Sequence, residues 1–213
     1  MRQQQLIRHA GGRAVFTSRF AMIILLGVLA LGSSACNKGP ENASALGKND
    51  VLPVAESPLA KAAIDGDLDE IKSLLESGVD INAKDPLGRT ALHMAAFYGR
   101  IKTTELLLSH GADINAKDRV GMTALHVAVI SGGRLEVELL LDNKAQIKAA
   151  SDSGKTPLHL AAATGQPKLS KFLIDRGADP KSKDSEGKTA LFYATQNKHP
   201  QTSALLQKYS ESE

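Results

Sequence analysis

The sequence predicts an all-α protein made of stacked helix-turn-helix units, and three observations carry this prediction. The hexapeptides TALHMA, TALHVA, TPLHLA and TALFYA begin at Thr90, Thr123, Thr156 and Thr189, at intervals of 33 residues, and SPLAKA stands one interval earlier at Ser57. Glycines stand two residues before each threonine, and nine residues after Ser57 and the first three threonines. Runs of large apolar residues recur once in each interval. Self-similarity at a fixed period of this length is the signature of a repeat architecture.

Each unit opens with residues that start a helix. The hydroxyl of Ser57 or of the equivalent threonine can accept a hydrogen bond from a free amide of the first turn, which makes it a good N-cap. Pro157 occupies the first helical position of unit four, where the missing amide costs no intrahelical hydrogen bond. Pro167 and Pro200 share one register and mark the start of the second helix in units four and five.

A second helix in each unit is predicted from its apolar face and its end. The apolar face comes from residues 106–108, 139–141 and 172–174. Gly78, Gly111 and Gly177 follow these helices in three units, at the position where a helix commonly ends with a positive φ. Unit three departs from the pattern, because Lys144 stands where the others have glycine. A left-handed lysine costs about 1 kcal/mol relative to glycine unless Asn143 takes that conformation, so the loop is a candidate hinge or a neutral change.

The motif TPLHxA at the start of a 33-residue unit resembles the ankyrin repeat family, whose unit is two short antiparallel helices and a hairpin-like loop. The resemblance covers residues 57–213 and implies an ankyrin-type solenoid. Five repeats are expected, at residues 57–89, 90–122, 123–155, 156–188 and 189–213. One unit cannot enclose its own apolar face, so the five must stack.

The residues before the repeats are typical of an exported protein. Residues 1–20 contain four arginines and no acidic residue, and the apolar segment AMIILLGVLAL that follows is only 11 residues long. A membrane-spanning helix needs about 20 apolar residues, so we interpret residues 1–35 as a secretory signal peptide. Residues 36–56 then form a flexible tether, which at this length has an end-to-end distance of about 25 Å.

The only cysteine, Cys36, directly follows the small residues of the signal. This arrangement resembles the lipobox of bacterial lipoproteins, in which the cysteine is lipidated and becomes the first residue. The sequence departs from that pattern at Ser33, where the family prefers a larger aliphatic residue. Two alternatives are cleavage to a soluble periplasmic protein and an uncleaved signal anchor. In the lipoprotein family, a residue other than Asp after the cysteine, here Asn37, is associated with the outer membrane rather than the inner one.

Charge argues against nucleic acid as a partner. The chain has 26 basic and 23 acidic residues, and 22 basic residues remain once the four arginines of the signal are set aside. A mature surface without excess positive charge lacks the electrostatic footprint of a nucleic-acid-binding protein. A single cysteine also cannot form an intrachain disulfide, so packing must hold the fold together.

His93, His126 and His159 suggest a metal-dependent enzyme or, alternatively, a structural role. Zinc ligands must each approach the ion to about 2 Å, whereas equivalent positions in stacked helices lie about 8 to 10 Å apart. At the third position of each helix, the side chain can instead bond to the loop and tie neighbouring units together. We therefore expect these histidines to be structural, with no metal, no cofactor and no catalytic residues.

Ankyrin-type proteins usually bind other proteins through a concave face made of the hairpin tips and the exposed side of the first helices. The resemblance therefore implies a protein-binding surface, which in this sequence is apolar in the first units and polar in the later ones. Its residues are Pro86, Leu87, Arg89, Phe97, Tyr98, Arg119, Val120, Met122 and Ile130. Apolar and aromatic residues rimmed by arginine have the composition of a binding hot spot. Alternatively, Phe97 or Ile130 turns inward to fill a gap between helices.

These observations predict a non-catalytic protein-interaction scaffold at the bacterial cell envelope, monomeric and held to the membrane by a lipid anchor. An inhibitor or immunity protein that blocks an envelope enzyme is the alternative. The sequence does not identify the partner in either case.

Overall fold

A computed structural model describes residues 57–211, which form ten helices in five successive pairs. The first helices of the units are α1 (Pro58–Asp65), α3 (Ala91–Phe97), α5 (Ala124–Ser131), α7 (Pro157–Ala163) and α9 (Ala190–Gln196). The second helices are α2 (Leu68–Glu76), α4 (Ile101–Ser109), α6 (Arg134–Asp142), α8 (Pro167–Asp175) and α10 (Pro200–Glu211). One helix pair lies within each of the five predicted repeats, and the predicted all-α fold is confirmed.

The signal peptide, Cys36 and the tether lie outside the described residues. None of the helices within residues 57–211 combines the length and the hydropathy that a membrane span requires.

Short polar side chains start the helices, as the first unit illustrates. The Ser57 hydroxyl accepts a hydrogen bond from the amide of Ala60 at 3.1 Å. Helix α1 ends at Gly66, whose φ of 77° is in the left-handed region. Asp67 follows at once and caps α2 by accepting hydrogen bonds from the amides of Asp69 and Glu70. A stop and a start on consecutive residues keep the two helices of a unit close together.

The first helices stack in chain order, each in contact with the first helix of the next unit. Leucines in the repeat motif and in the second helices fill the stack at 1% exposure or less. They are Leu59, Leu92, Leu125, Leu158, Leu107, Leu140, Leu173 and Leu206. Burying one such side chain stabilises the fold by about 1.5 to 3 kcal/mol, so these repeated positions account for much of the stability of the solenoid.

An acidic side chain organises most of the loops between units. One carboxylate oxygen of Asp85 accepts hydrogen bonds from the amides of Leu87 and Arg89, both at 2.8 Å. Asp118 and Asp184 make the same pair of contacts in their own loops. These bonds hold each hairpin tip closed and fix the direction of the residues at the tip.

In unit three, Lys144 itself adopts the left-handed conformation, with a φ of 71°. Asn143 is right-handed at φ −88°, and its side-chain amide donates to the carbonyl of Leu139 at 2.9 Å. Asn143 therefore does not relieve the strain at Lys144. The strain costs about 1 kcal/mol relative to glycine.

Candidate protein-binding surface

The hairpin tips are joined to one another by backbone hydrogen bonds. The amide of Arg119 donates to the carbonyl of Leu87 at 3.0 Å, and the amide of Asp152 donates to the carbonyl of Val120 at 3.0 Å. Ser185 donates to Ser153 in the same way at 3.1 Å. The tips are thereby fixed side by side, so a partner meets a preformed surface.

Seven of the nine predicted surface residues are exposed or partly exposed, and we call this set the apolar tip surface. Pro86, Arg119 and Val120 are exposed, and the exposed fraction of Val120 is 39%. The other four, Leu87, Phe97, Tyr98 and Ile130, are half-buried. Phe97 and Ile130 lie on α3 and α5, which are neighbours in the stack, and Tyr98 directly follows α3.

Arg89 and Met122 are buried, at 7% and 6% exposure, so the expectation that they contribute to the exposed surface is wrong. The Arg89 guanidinium turns back under its own loop, where Nη2 and Nε lie 2.6 and 2.7 Å from one carboxylate oxygen of Asp85. Met122 precedes the N-cap Thr123 and packs inside, with its carbonyl facing His93 at 3.0 Å. Both positions serve the junction between units and not a partner.

The two aromatic residues of the apolar tip surface have different surroundings. The rings of Phe97 and Tyr98 meet edge to face, with centroids 5.2 Å apart and an interplanar angle of 83°. Tyr98 also packs against the hydrophobic core. A change at Tyr98 therefore disturbs the fold, and Phe97 is the better probe of binding.

The histidines connect the first turn of a unit with the loop at the end of the same unit, so the expected bond to a neighbouring unit is not what they make, and they use both ring nitrogens. Nδ1 of His93 accepts from the amide of Thr90 at 3.2 Å, and Nε2 donates to the carbonyl of Met122 in the next loop at 3.0 Å. His126 and His159 repeat this pattern with the carbonyls of Lys155 and Lys188, both at 3.1 Å. Since Nδ1 accepts and Nε2 donates, the partners select one neutral tautomer.

Burial lowers the pKa of all three histidines, and it lowers the pKa of His126 to about 4. Both ring nitrogens are already bonded within the protein, which leaves no lone pair directed at an ion. Within residues 57–211, no three His, Cys, Asp or Glu side chains are grouped closely enough to hold a metal.

Glu136 is a buried carboxyl group that the sequence did not single out. It is 1% exposed, and the Thr104 hydroxyl of the neighbouring unit donates to its Oε1, while Oε2 has no hydrogen-bond partner. Burial raises its pKa to about 7. Such a pKa suits acid-base chemistry, but at this burial a substrate cannot reach the carboxyl, so the group bears on stability.

A second aromatic pair in the last unit was also missed. Phe192 is 40% exposed and meets the ring of Tyr193 edge to face, with centroids 5.6 Å apart. The ammonium groups of Lys188 and Lys155 lie 4.8 Å from the Phe192 ring and 5.1 Å from the Tyr193 ring. The signal is present in the sequence, because Phe192 occupies the position of the histidine, but this position lies outside the predicted protein-binding surface.

A stack of helix pairs with joined hairpin tips defines a helical-repeat protein of the kind that binds other proteins. The sequence matches the ankyrin repeats family, in three copies, over residues 35–118, 117–184 and 137–212. The chain therefore belongs to the ankyrin repeat family, a class of protein-protein interaction modules. No curated protein matches the sequence.

Proposed function

We propose that the chain is a non-catalytic scaffold that binds a partner protein through the apolar tip surface, and that a lipid on Cys36 holds it at the bacterial envelope. One observation carries the binding part. Apolar side chains of two adjacent tips and two adjacent helices, among them Leu87, Val120 and Phe97, are exposed or partly exposed on a rigid frame. Surfaces of this composition supply the centre of protein interfaces.

The charge at the edge of the apolar tip surface favours one kind of partner. Arg119 is exposed beside Val120, whereas Arg89 is neutralised by Asp85. One free guanidinium at the rim favours a partner with a carboxylate at the edge of an apolar patch, since arginine pairs with carboxylates in two-point geometry. A monomeric chain presents this surface once.

Quantitative pull-down from the envelope fraction with the full chain tests the binding site. Phe97→Ala and Val120→Ser remove apolar contact, and each should lower partner recovery by over tenfold, as hot-spot truncations do. Gln196→Ala and Ser153→Ala change the equivalent positions of later units and should leave recovery unchanged. If the two controls abolish recovery and the first two variants do not, binding lies in the later units. Thermal unfolding checks each variant, because a Phe97→Ala protein that does not fold would place that ring in the core.

The anchor is tested separately. Cys36→Ser should prevent incorporation of a fatty-acid analogue and release the protein from the membrane fraction. A variant that stays membrane-bound, beside a wild type that takes up no label, would contradict lipidation. Assaying the recovered partner for inhibition by the scaffold then separates an adaptor from an inhibitor.

A further inference from the structure

The Glu136 carboxyl is buried between the second helices of units two and three. It lies near the start of α6 and is 1% exposed, and its Oε1 accepts a hydrogen bond from the hydroxyl of Thr104 near the start of α4. Among residues 57–211, Oε2 has no hydrogen-bond partner. A neutral acid group tolerates such surroundings, but a carboxylate there lacks the water that would stabilise its charge. Ionisation of Glu136 therefore favours separation of the two helix starts.

The same junction lacks a hydrogen bond that the other junctions contain. Arg100, Gln166 and His199 stand directly before the second helices of units two, four and five. Each donates from its side chain to a carbonyl in the last turn of the first helix of the preceding unit, at 2.8, 2.8 and 3.1 Å. We call this contact the junction bond. In unit three the equivalent residue is Gly133, which has no side chain to make it.

The other end of this junction is held by hydrogen bonds between the loops. Besides the backbone bond between the two hairpin tips, the amide of Gln146 donates to the side chain of Asn115 at 3.0 Å. The ammonium group of Lys117 donates to the carbonyl of Ala150 at 2.8 Å. We call the end with these loops the hairpin end, and the end where the two helices of a unit meet the turn end. Units two and three can therefore separate at the turn end while the hairpin end stays attached.

Side chains hold α6 to unit four. Arg176, directly after α8, donates to Asp142 at 2.9 Å and lies 3.4 Å from Glu138. The guanidinium groups of Arg134 and Arg176 lie 4.2 and 4.7 Å from the centre of the Phe172 ring. Because the junction bond is also present between these two units, unit three moves with unit four when it moves away from unit two.

The charged side chains around Glu136 come from its own helix and from α4, α5 and α8. Helices α4 and α5 pack on α6, and α8 contacts it through Phe172. The titratable residues of these three helices, exposed except for the buried His126, are Lys102, Glu105, His126, Lys168, Lys171 and Asp175. The other charged residues of α6, which take part in the contacts with unit four, are Arg134, Glu138 and Asp142.

These surroundings set the direction of the pH dependence. Burial, and then repulsion by Glu105, raises the pKa of Glu136 to about 7, against the lowering effect of the hydrogen bond from Thr104. In an open junction the carboxyl is in water, where its ordinary pKa is 4.5. Opening therefore releases a proton and becomes more favourable as the pH rises from 4.5 through 7. Between pH 5.5 and 7.5 the ratio of open to closed junctions should rise about 20-fold.

We propose that the junction between units two and three is a pH-sensitive hinge that regulates partner binding at the apolar tip surface. When the Glu136 proton passes to water, the turn end of unit three moves away from unit two, and the junction closes when the proton returns. Phe97 and Ile130 are equivalent residues at the two turn ends, so opening moves them apart. The regulation rests on the proposed function, because a partner that contacts both side chains binds the closed chain better.

Spin labels at the turn ends test the hinge in the full chain, with Cys36→Ser as the background so that no label attaches there. One label pair, Lys102→Cys with Leu135→Cys, spans units two and three. The matched control pair, Leu135→Cys with Lys168→Cys, spans units three and four. All three labelled residues are exposed and stand second in their helices.

Electron paramagnetic resonance should show a second, longer distance for the first pair, and its share should grow between pH 5.5 and 7.5. The control pair should not change, and Glu136→Gln should abolish the response of the first pair, because glutamine stays neutral. A first pair that does not respond to pH overturns the proposal. An equal response of both pairs also overturns it, since that result would show unfolding of the whole solenoid.

Restoring the junction bond provides an independent variant. Gly133 has a φ of −73°, which any residue adopts, and a Cβ there would make an ordinary contact with the Cβ of Glu136 at 3.4 Å. Gly133→Gln supplies the side chain that Gln166 has in unit four. It should lower the ratio of open to closed junctions at pH 7.5 about fivefold, the effect of one net hydrogen bond. An unchanged ratio overturns the role of the missing bond.

Pull-down from the envelope fraction at pH 5.5 and 7.5 tests the regulation. Relative to Glu136→Gln, recovery by the wild type should be about twofold lower at pH 7.5 once half of the chains are open. Equal relative recovery at both pH values, while Phe97→Ala still lowers recovery, overturns the regulation and leaves the binding surface in place. Unchanged recovery by Phe97→Ala instead contradicts the binding surface, and the regulation with it.

Discussion

The junctions between successive units and the last unit, at Gly187 and Phe192, are built on the same positions of the repeat, yet the residues there are constrained very differently. At an internal junction, the glycine of the tip has a loop against it and the histidine is buried with both nitrogens bonded. In the last unit, a Cβ added to Gly187 would meet nothing within 4 Å, and Phe192 replaces the histidine. The comparison teaches that two positions of the repeat depend on contact with a following loop. In the last unit, where no following unit is described, the histidine is replaced and the space beside the glycine is empty.

Glycine substitutions should give the largest difference between the two regions. Gly121→Ala should lower the free energy of unfolding by about 4 kcal/mol, because the new carbon adds a clash with Asp152 to the strain of a positive φ. Gly187→Ala should cost only the strain, about 1 kcal/mol. Urea unfolding of the two full-length variants measures both values. Equal losses would show that the space around the glycine does not matter.

The pH dependence of stability should come from buried titratable side chains. Glu136 has a folded pKa of about 7 against an ordinary value of 4.5. Because this folded pKa is raised, its contribution to stability is fully present below pH 4.5 and is lost as the pH rises through 7. Relative to Glu136→Gln, the wild type should therefore gain about 3 kcal/mol in free energy of unfolding when the pH falls from 7.5 to 4.5.

The histidines should change stability with pH in the opposite direction to Glu136. The folded pKa of His126 is lowered from 6.5 to about 4, so its contribution to stability is present above pH 6.5 and is lost as the pH falls through 4. Unfolding of wild type, Glu136→Gln and His126→Ala at several pH values separates the two groups. A wild type and a Glu136→Gln variant with parallel pH profiles would contradict the buried titration of Glu136.

Removing the histidine should cost more than removing the phenylalanine at the same repeat position. His126→Ala leaves a buried amide at Thr123 and a carbonyl at Lys155 without partners, which should lower stability by about 2 kcal/mol at pH 7.5. Phe192→Ala removes a partly exposed ring and should cost under about 1 kcal/mol. Thermal unfolding of both variants makes the comparison, and a larger loss for Phe192→Ala would place that ring in the core.

The smallest expected effect is a gain in stability. Lys144→Gly should raise the free energy of unfolding by about 1 kcal/mol, because glycine adopts the left-handed conformation without strain. Lys198→Gly is the matched change in unit five, where the other units also have glycine and the φ of Lys198 is 59°. Urea midpoints measure both, and a loss of stability in either variant would contradict the strain argument.

The sequence was sufficient to predict the fold because the same helix caps and apolar positions recur in all five units. Thr90 and its equivalents are N-caps, and the leucines two residues later are buried in the first four units. The candidate site was harder to predict, because exposure depends on contacts between units. Arg89 was predicted to lie at the rim, but it is buried against Asp85, and Phe192 has an exposed ring at the position that holds a buried histidine in units two to four.

The hydrogen bonds between units also explain how freely such a protein can change in size. They span from 31 residues, as between Asn82 and Asp113, to 38 residues, as between Glu138 and Arg176. Each bond thus connects a unit with its immediate neighbour, and these bonds carry no information about how many units the chain contains. Excision of residues 123–155 as a block would bring Val120 to the position of Ser153 and renew the same bonds. The number of units can thus change when the gene duplicates or loses whole 33-residue units, because each remaining unit still makes the same bonds to its neighbours.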